Sequence, residues 1–314
     1  MAILKKVGKI FAIILLCILG LFVAIISVLN VAKFAIYAEY YSITDSVCRN
    51  PGLGDGFVCQ GVCAVETENK FLVSGYMANG TASRIYVTDK DNNDYYVSLY
   101  RDGEEFDGHV GGVAFYEDKV FTTCNDSVQV FSLTEILSAK KGDVVEMEKE
   151  VPVNNQGSSL YVYGDYLYVG EFNNGNQYKT EHHYGDNHAI ITKYLVESIL
   201  QGSPVADKIY SIPDKVQGIC FTPDGKIVLS TSWAIADSYF YVYNESEIID
   251  SGEVLDGAKV YHLGNSRKIK GPAMVEGLDY YAGKIITVYE SASNKYFFGK
   301  MFFAHKIDAI DINI

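Results

Sequence analysis

The segment VQGICFTPDGKIVLSTS, Val216 to Ser232, decides the fold. It opens on a polar residue and a glycine, runs through a short apolar strand, turns at Pro223-Asp224-Gly225 and leaves as a second apolar strand. Proline presets one turn dihedral and glycine accepts a positive φ, so the segment reads as a β-hairpin. The phrase recurs as QGVCAVETENKFLVSG from Gln60, GGVAFYEDKVFTTC from Gly111, SSLYVYGDYLYVGE from Ser158 and EGLDYYAGKIITVYE from Glu276. Each copy carries its own turn: Glu68-Asn69, Glu117-Asp118, Gly164-Asp165 and Ala282-Gly283.

Further strands follow most hairpins. Third strands read RIYVTD from Arg84, VQVFSL from Val128, IITKYL from Ile190 and YFYVYN from Tyr239. Fourth strands read YYVSLY from Tyr95, VVEMEKEVPV from Val144, KIYSIP from Lys208 and KVYHLG from Lys259. Four antiparallel strands recurring every ~50 to 60 residues are the signature of propeller blades, none of which buries its faces without neighbours. The expectation is an all-β, five-bladed β-propeller, five blades being favoured over six and over a β-sandwich, which lacks such phase-locked recurrence. TEILSAKK and VESILQG read as single helical turns between third and fourth strands, and HKIDAIDI from His305 as the strand that seals the ring.

The first thirty residues are of another kind. Lys5, Lys6 and Lys9 precede an uncharged apolar run from Ile10 to Leu29, about the ~20 residues that a helix needs to cross a bilayer. The chain divides into a basic cytoplasmic N-terminus (1–9), a transmembrane signal-anchor (10–30), a juxtamembrane linker (31–44) and a propeller (45–314). Positive flanks stay inside, so the propeller is expected outside the cytoplasm, on a single-pass protein of the cell membrane. The rival reading is a cleaved signal peptide, but the apolar run exceeds the ~7 to 15 residues typical of one, and the site at Ile36-Tyr37-Ala38 fits poorly.

Of 26 basic and 39 acidic residues, four basic and no acidic ones precede Glu39, which leaves 22 basic against 39 acidic and a net charge of −17 on the rest. Such a surface repels nucleic-acid phosphates, so no nucleic-acid partner is expected. Of six cysteines, Cys17 lies in the apolar run. Cys48 and Cys59 flank a Gly-rich loop and are the expected disulfide in an oxidising compartment. No CxxC pair exists to favour zinc, and Cys63 and Cys220 share a repeat position that reads as packing.

Inner strands of a propeller begin near one mouth of the central channel, where equivalent repeat positions form a ring. Gln60, His109, Gln156, Gln217 and Glu276 are the polar residues that this places around the axis, offering amide, imidazole and carboxylate groups to a polar ligand. Trp233 and Glu290, at the ends of second strands, add a stacking surface and a charge, Glu290 being within reach of Lys295 as an exposed pair. The cluster EHHYGDNH, Glu181 to His188, reads as a polar loop, since its spacing matches no metal motif. No nucleophile or phosphate-loop motif is present, and no catalytic residue is assigned.

The phrases QGI and TPDGKI resemble those of regucalcin, gluconolactonase and strictosidine synthase-like propellers, and of NHL-type and YVTN-type propellers. In the lactonase-like members a divalent cation such as Ca2+ sits on the axis. The resemblance implies Glu276 as its carboxylate ligand here, with Gln60 and Gln217 as amide neighbours. The chain departs from those families in having five blades where they have six, and in lacking a second axial Asp or Asn. The leading expectation is a membrane-anchored binding or scaffold module that takes a polar small molecule, a glycan or a partner protein of the envelope at the channel mouth. The alternatives are a metal-dependent lactonase or esterase-type hydrolase and a structural part of an envelope complex.

Overall fold

The computed structural model describes residues 2–313; Met1 and Ile314, the outermost residues of the first and last segments, lie outside the described residues. Five sheets carry the five copies of the hairpin phrase, each with its first strand innermost. Blade one runs outward through Phe57–Val65, Lys70–Met77, Arg84–Thr88 and Tyr95–Arg101. Blade two uses Val113–Tyr116, Lys119–Cys124, Ser127–Ser132 and Lys149–Pro152, and blade three Gly157–Tyr163, Tyr166–Glu171, Ala189–Leu195 and Ala206–Ile212. Blade four uses Val216–Phe221, Lys226–Thr231, Ser238–Asn244 and Ser266–Gly271. The chain forms a five-bladed β-propeller, with the inner strands touching one another in a closed ring.

Blade five is closed differently from the expectation. HKIDAIDI supplies its third strand, Lys306–Ile310, beside Val275–Tyr281 and Lys284–Tyr289. The sealing strand is Thr44–Arg49, which pairs antiparallel with Lys306–Ile310. The ring is therefore locked by joining the start of the propeller to its end. Two fourth strands also move. VVEMEKEVPV splits, Val144–Glu146 joining blade one in parallel and Lys149–Pro152 completing blade two. KVYHLG contributes Ala258–His262 to the outer edge of blade three, and Ser266–Gly271 takes its place in blade four.

Apolar clusters fill the spaces between neighbouring blades: Leu72, Val87 and Val120 between blades one and two, Phe121, Leu160 and Val169 between two and three. At the hub the fit is tighter than side chains allow. A Cβ on Gly61 would lie 2.5 Å from the Val113 nitrogen of blade two, and one on Gly277 would lie 2.7 Å from the Gly61 Cα, so backbone packs directly on backbone. Hydroxyls from second strands tie the ring across blades, Ser74 donating to the Gly111 carbonyl at 2.7 Å and Ser230 to the Glu276 carbonyl at 2.8 Å.

The N-terminal helix, Ala2–Ile36, is long and apolar enough to cross a membrane. The 31–44 segment is helical to Ile36 and again over Ala38–Ser42, and its last residue opens the sealing strand. It packs on the propeller. Tyr40 is fully buried against Phe240, donates to Asp308 Oδ2 at 2.8 Å and meets the Tyr289 hydroxyl at 2.5 Å. Tyr37 donates to Asp237 Oδ1 at 2.9 Å.

Candidate functional site: a polar-floored cavity at one channel mouth

The inner strands start at one end of the ring, and the second strands return to it. At this end lies a cavity of about 810 Å³. Gln60, His109, Gln156, Gln217, Trp233 and Glu290 line it; Glu276 does not, lying beneath its floor with only 1% of its surface exposed.

A backbone irregularity places the floor residues. Strand pairing slips at Gln60 between Cys59 and Gly61, at Ser158 between Gly157 and Ser159, at Gln217 between Val216 and Gly218, and at Glu276-Gly277 between Val275 and Leu278. In four of five blades the residue before the hub thus drops out of the ladder, and such a bulge re-aims its side chain away from the sheet face.

The floor is a continuous hydrogen-bonded chain. His109 Nε2 donates to Gln60 Oε1 at 2.9 Å, and Gln60 Nε2 donates to Glu290 Oε2 at 3.2 Å and to the Cys59 carbonyl at 2.9 Å. Burial, with the charge of Lys295 next, lowers the His109 pKa to about 4, so the imidazole is neutral and carries its proton on Nε2. Glu290 also bonds Tyr296, whose hydroxyl meets that of Tyr76 at 3.2 Å. Lys295 bonds the Tyr76 hydroxyl at 2.5 Å. The simple exposed Glu290–Lys295 pair of the sequence reading is therefore replaced by a chain running through two tyrosines.

Two carboxyls titrate abnormally here. Burial raises the Glu290 pKa to about 7, the bonds from Tyr296 and Gln60 and the charge of Lys295 holding it from going further. Glu276 is pushed well above the carboxylate range, first by burial and then by the charge of Glu290, and its Oε1 has no hydrogen-bond partner. Burial thus biases Glu276 toward its protonated form beneath the floor.

The same geometry bears on the axial cation that the family resemblance implies. Both ends of Gln60 are occupied by protein partners, and Glu276 lies beneath the floor rather than on the cavity wall. Among the described residues, no three His, Cys, Asp or Glu side chains are grouped to hold a metal. The residues do not fit the cation, and no chemistry is derived through one.

The walls are aromatic. Trp233 lies 5.8 Å from Phe172 and 6.5 Å from Tyr178 between ring centroids, and Tyr76 sets its ring against that of His109 at 4.2 Å. Phe297 and Phe298 complete the rim. Sequence reading missed Tyr76, Asn125 and Phe172, although they end second strands as Trp233 and Glu290 do; that shared repeat position was the available signal. Tyr178, Tyr296, Phe297 and Phe298 sit in loops of unequal length with no repeat register to find them by.

The predicted disulfide does not form, and all six cysteines are free thiols. Cys48 lies on the sealing strand of blade five and Cys59 on the inner strand of blade one, where the Asn50 amide donates to its sulfur at 3.1 Å. The histidine loop is pinned by carboxylates: His182 pairs with Glu171 at 3.3 Å and His188 with Asp214 at 3.3 Å.

No known family profile and no characterised protein sequence matches the chain. Among solved structures, similar ones include the PQQ-bound aldose sugar dehydrogenase of Streptomyces coelicolor, at 14% identity over 78% of this chain and 76% of that one, with a TM-score of 0.42. A nidogen/laminin complex is similar at 11% identity over 74% and 73%, with a TM-score of 0.41. At those scores the likeness says nothing about activity, and the fold rests on the order of the strands themselves.

Proposed function

We propose that the protein is a membrane-anchored binding module whose cavity takes a polar, ring-bearing ligand such as a glycan. The observation that carries this reading is the pairing of a fixed polar floor with aromatic walls. Gln60, His109 and Glu290 are held in one orientation by mutual bonds, while Trp233, Phe172 and Tyr178 offer ring faces and edges. A hydroxylated ring stacks on such walls by its C–H face and spends its hydroxyls on amide, imidazole and carboxyl groups. No residue is assigned a catalytic role, and the raised Glu290 pKa makes binding sensitive to pH near neutrality.

The N-terminal helix serves as a single-pass anchor, with Lys5, Lys6 and Lys9 in the cytoplasm and the propeller on the other side. Protease added outside intact cells should degrade the propeller; full protection would refute this topology. For binding, a thermal-shift screen of the detergent-solubilised full chain against mono- and oligosaccharides should find ligands that raise the unfolding temperature. That rise should vanish in Gln217→Ala/Trp233→Ala. A rise that persists in the double variant places the ligand elsewhere and refutes the reading.

A further inference from the structure

The N-terminal helix does not leave the propeller as a free stalk. Asn30 clamps it to the loop between the second and third strands of blade five, its Nδ2 donating to the Lys300 carbonyl at 2.9 Å and its Oδ1 accepting from the Phe303 N–H at 3.0 Å. Phe22 stacks on Phe297 of the same loop, with ring centroids 5.0 Å apart and planes 4° from parallel. Tyr37 ties the helix end to Asp237, in the matching loop of blade four. These two loops also form the cavity rim.

The rim is apolar and open. Trp233 is 41% exposed and Ile235 47%, on the blade-four loop; Phe297 is 63% exposed and Phe298 60%, on the blade-five loop. All four line the cavity. Among the described residues, the other exposed large hydrophobics of the propeller, such as Leu195 and Val205, are aliphatic except for Tyr178, which lines the same cavity.

The helix sets the depth of this rim. From Lys9, which marks one interface, to Asn30 is a rise of roughly 31 Å, which matches the ~30 Å hydrocarbon thickness and puts Asn30 at the opposite boundary. Phe22 is two helical turns closer to the bilayer centre, ~12 Å beyond that boundary, and an ordinary tilt of ~20° shortens this by less than a tenth. A ring stacked on Phe22 shares its depth.

We propose that the cavity mouth is seated in the bilayer, with Phe297 and Phe298 among the acyl chains and Trp233 and Ile235 at the head-group level. The partner of this rim is the lipid surface, continuous with the surface that holds the helix. The cavity is then loaded from the membrane, a consequence that rests on the binding reading above, whereas the seating does not.

Trp233 is the only tryptophan, so its fluorescence reports the rim alone. The full chain is placed in phosphatidylcholine nanodiscs, with lipids either unmodified or brominated along one acyl chain. Emission should fall about twofold in the brominated discs, as for an interfacial indole. A Trp233→Phe/Val205→Trp variant moves the reporter to the start of the fourth strand of blade three, at the opposite end of the ring, and should lose no emission. Equal emission from wild type in both discs overturns the proposal, as does equal quenching at both positions. Should that variant fail to fold, bromines placed near the head group and near the chain end still decide with wild type: stronger quenching by the former supports seating, and quenching by neither refutes it. No ligand enters this measurement, so seating and binding fail separately.

Discussion

The two ends of the channel are built from the same five hairpins and differ in almost everything else. At one end lies the cavity of about 810 Å³; at the other, a pocket of about 210 Å³ lined by Cys63, Ala64, Ala114, Phe115, Tyr161 and Asp279. The small end is where first strands turn directly into second strands, through turns held by Asn69, Glu117, Gly164 and Ala282 at positive φ. Turns that tight leave no chain to build walls. The large end receives the connections between second and third strands, which run from Glu171 to Ala189 in blade three and from Glu290 to Lys306 in blade five. Connection length thus separates the ends: short turns close one, and the long loops of blades three and five furnish the other, while blade two crosses there in the two residues Asn125-Asp126.

The hub between the ends is the first place to break this contrast. Gly61→Ala puts a methyl 2.5 Å from the Val113 nitrogen, a clash that only backbone movement relieves. It should cost about 3 kcal/mol, the upper end for overpacking, and abolish both pockets. Gly54→Ala, with open space around its Cβ, is the control expected to leave the chemical denaturation midpoint in place.

A slightly smaller effect separates the two ends. A ligand at a hundredfold its Kd stabilises the chain by ~2.7 kcal/mol, and that increment should disappear in Gln217→Ala/Trp233→Ala. Tyr161→Phe, at the small end, should leave the ligand increment whole. Its own cost should be about 1 kcal/mol, for the bond of 3.0 Å that its hydroxyl donates to the Phe221 carbonyl. Loss of ligand response in Tyr161→Phe would mean that the ends are coupled.

The smallest effect is a slope. Glu276 and Glu290 both titrate above the ordinary carboxylate range, so the folded state keeps protons that the unfolded chain has released. Stability should therefore fall as pH rises from the ordinary carboxylate range toward about 7, the Glu290 value. Glu276→Gln removes one of these protons and should flatten the decline in a pH series of denaturation midpoints. An unchanged slope would show that Glu276 is not held protonated.

The repeat was legible because each hairpin must satisfy local chemistry that leaves a mark: a turn residue, alternating apolar positions and, in four of the five, a glycine at the hub. Outer strands leave weaker marks. KVYHLG reads correctly as a strand, yet its partner is the edge of blade three rather than of blade four, because a strand pattern carries no address. The floor was legible by register at Gln60 and Gln217, but the same logic placed Glu276 in the cavity when the structure leaves it beneath.

From its order of residues alone, the chain determined five hairpins, their phase and an apolar N-terminal helix, since periodicity and turn chemistry act over a few neighbours. Only the tertiary structure decided that Thr44–Arg49 seals the ring, that Gln60 bridges His109 and Glu290, and that the helix docks against the rim through Asn30. Each of those joins residues far apart in the chain, and the choice among such pairings is made by the closure of the ring, where one geometry lets four of the five blade-to-blade contacts at the hub pack backbone against backbone at once.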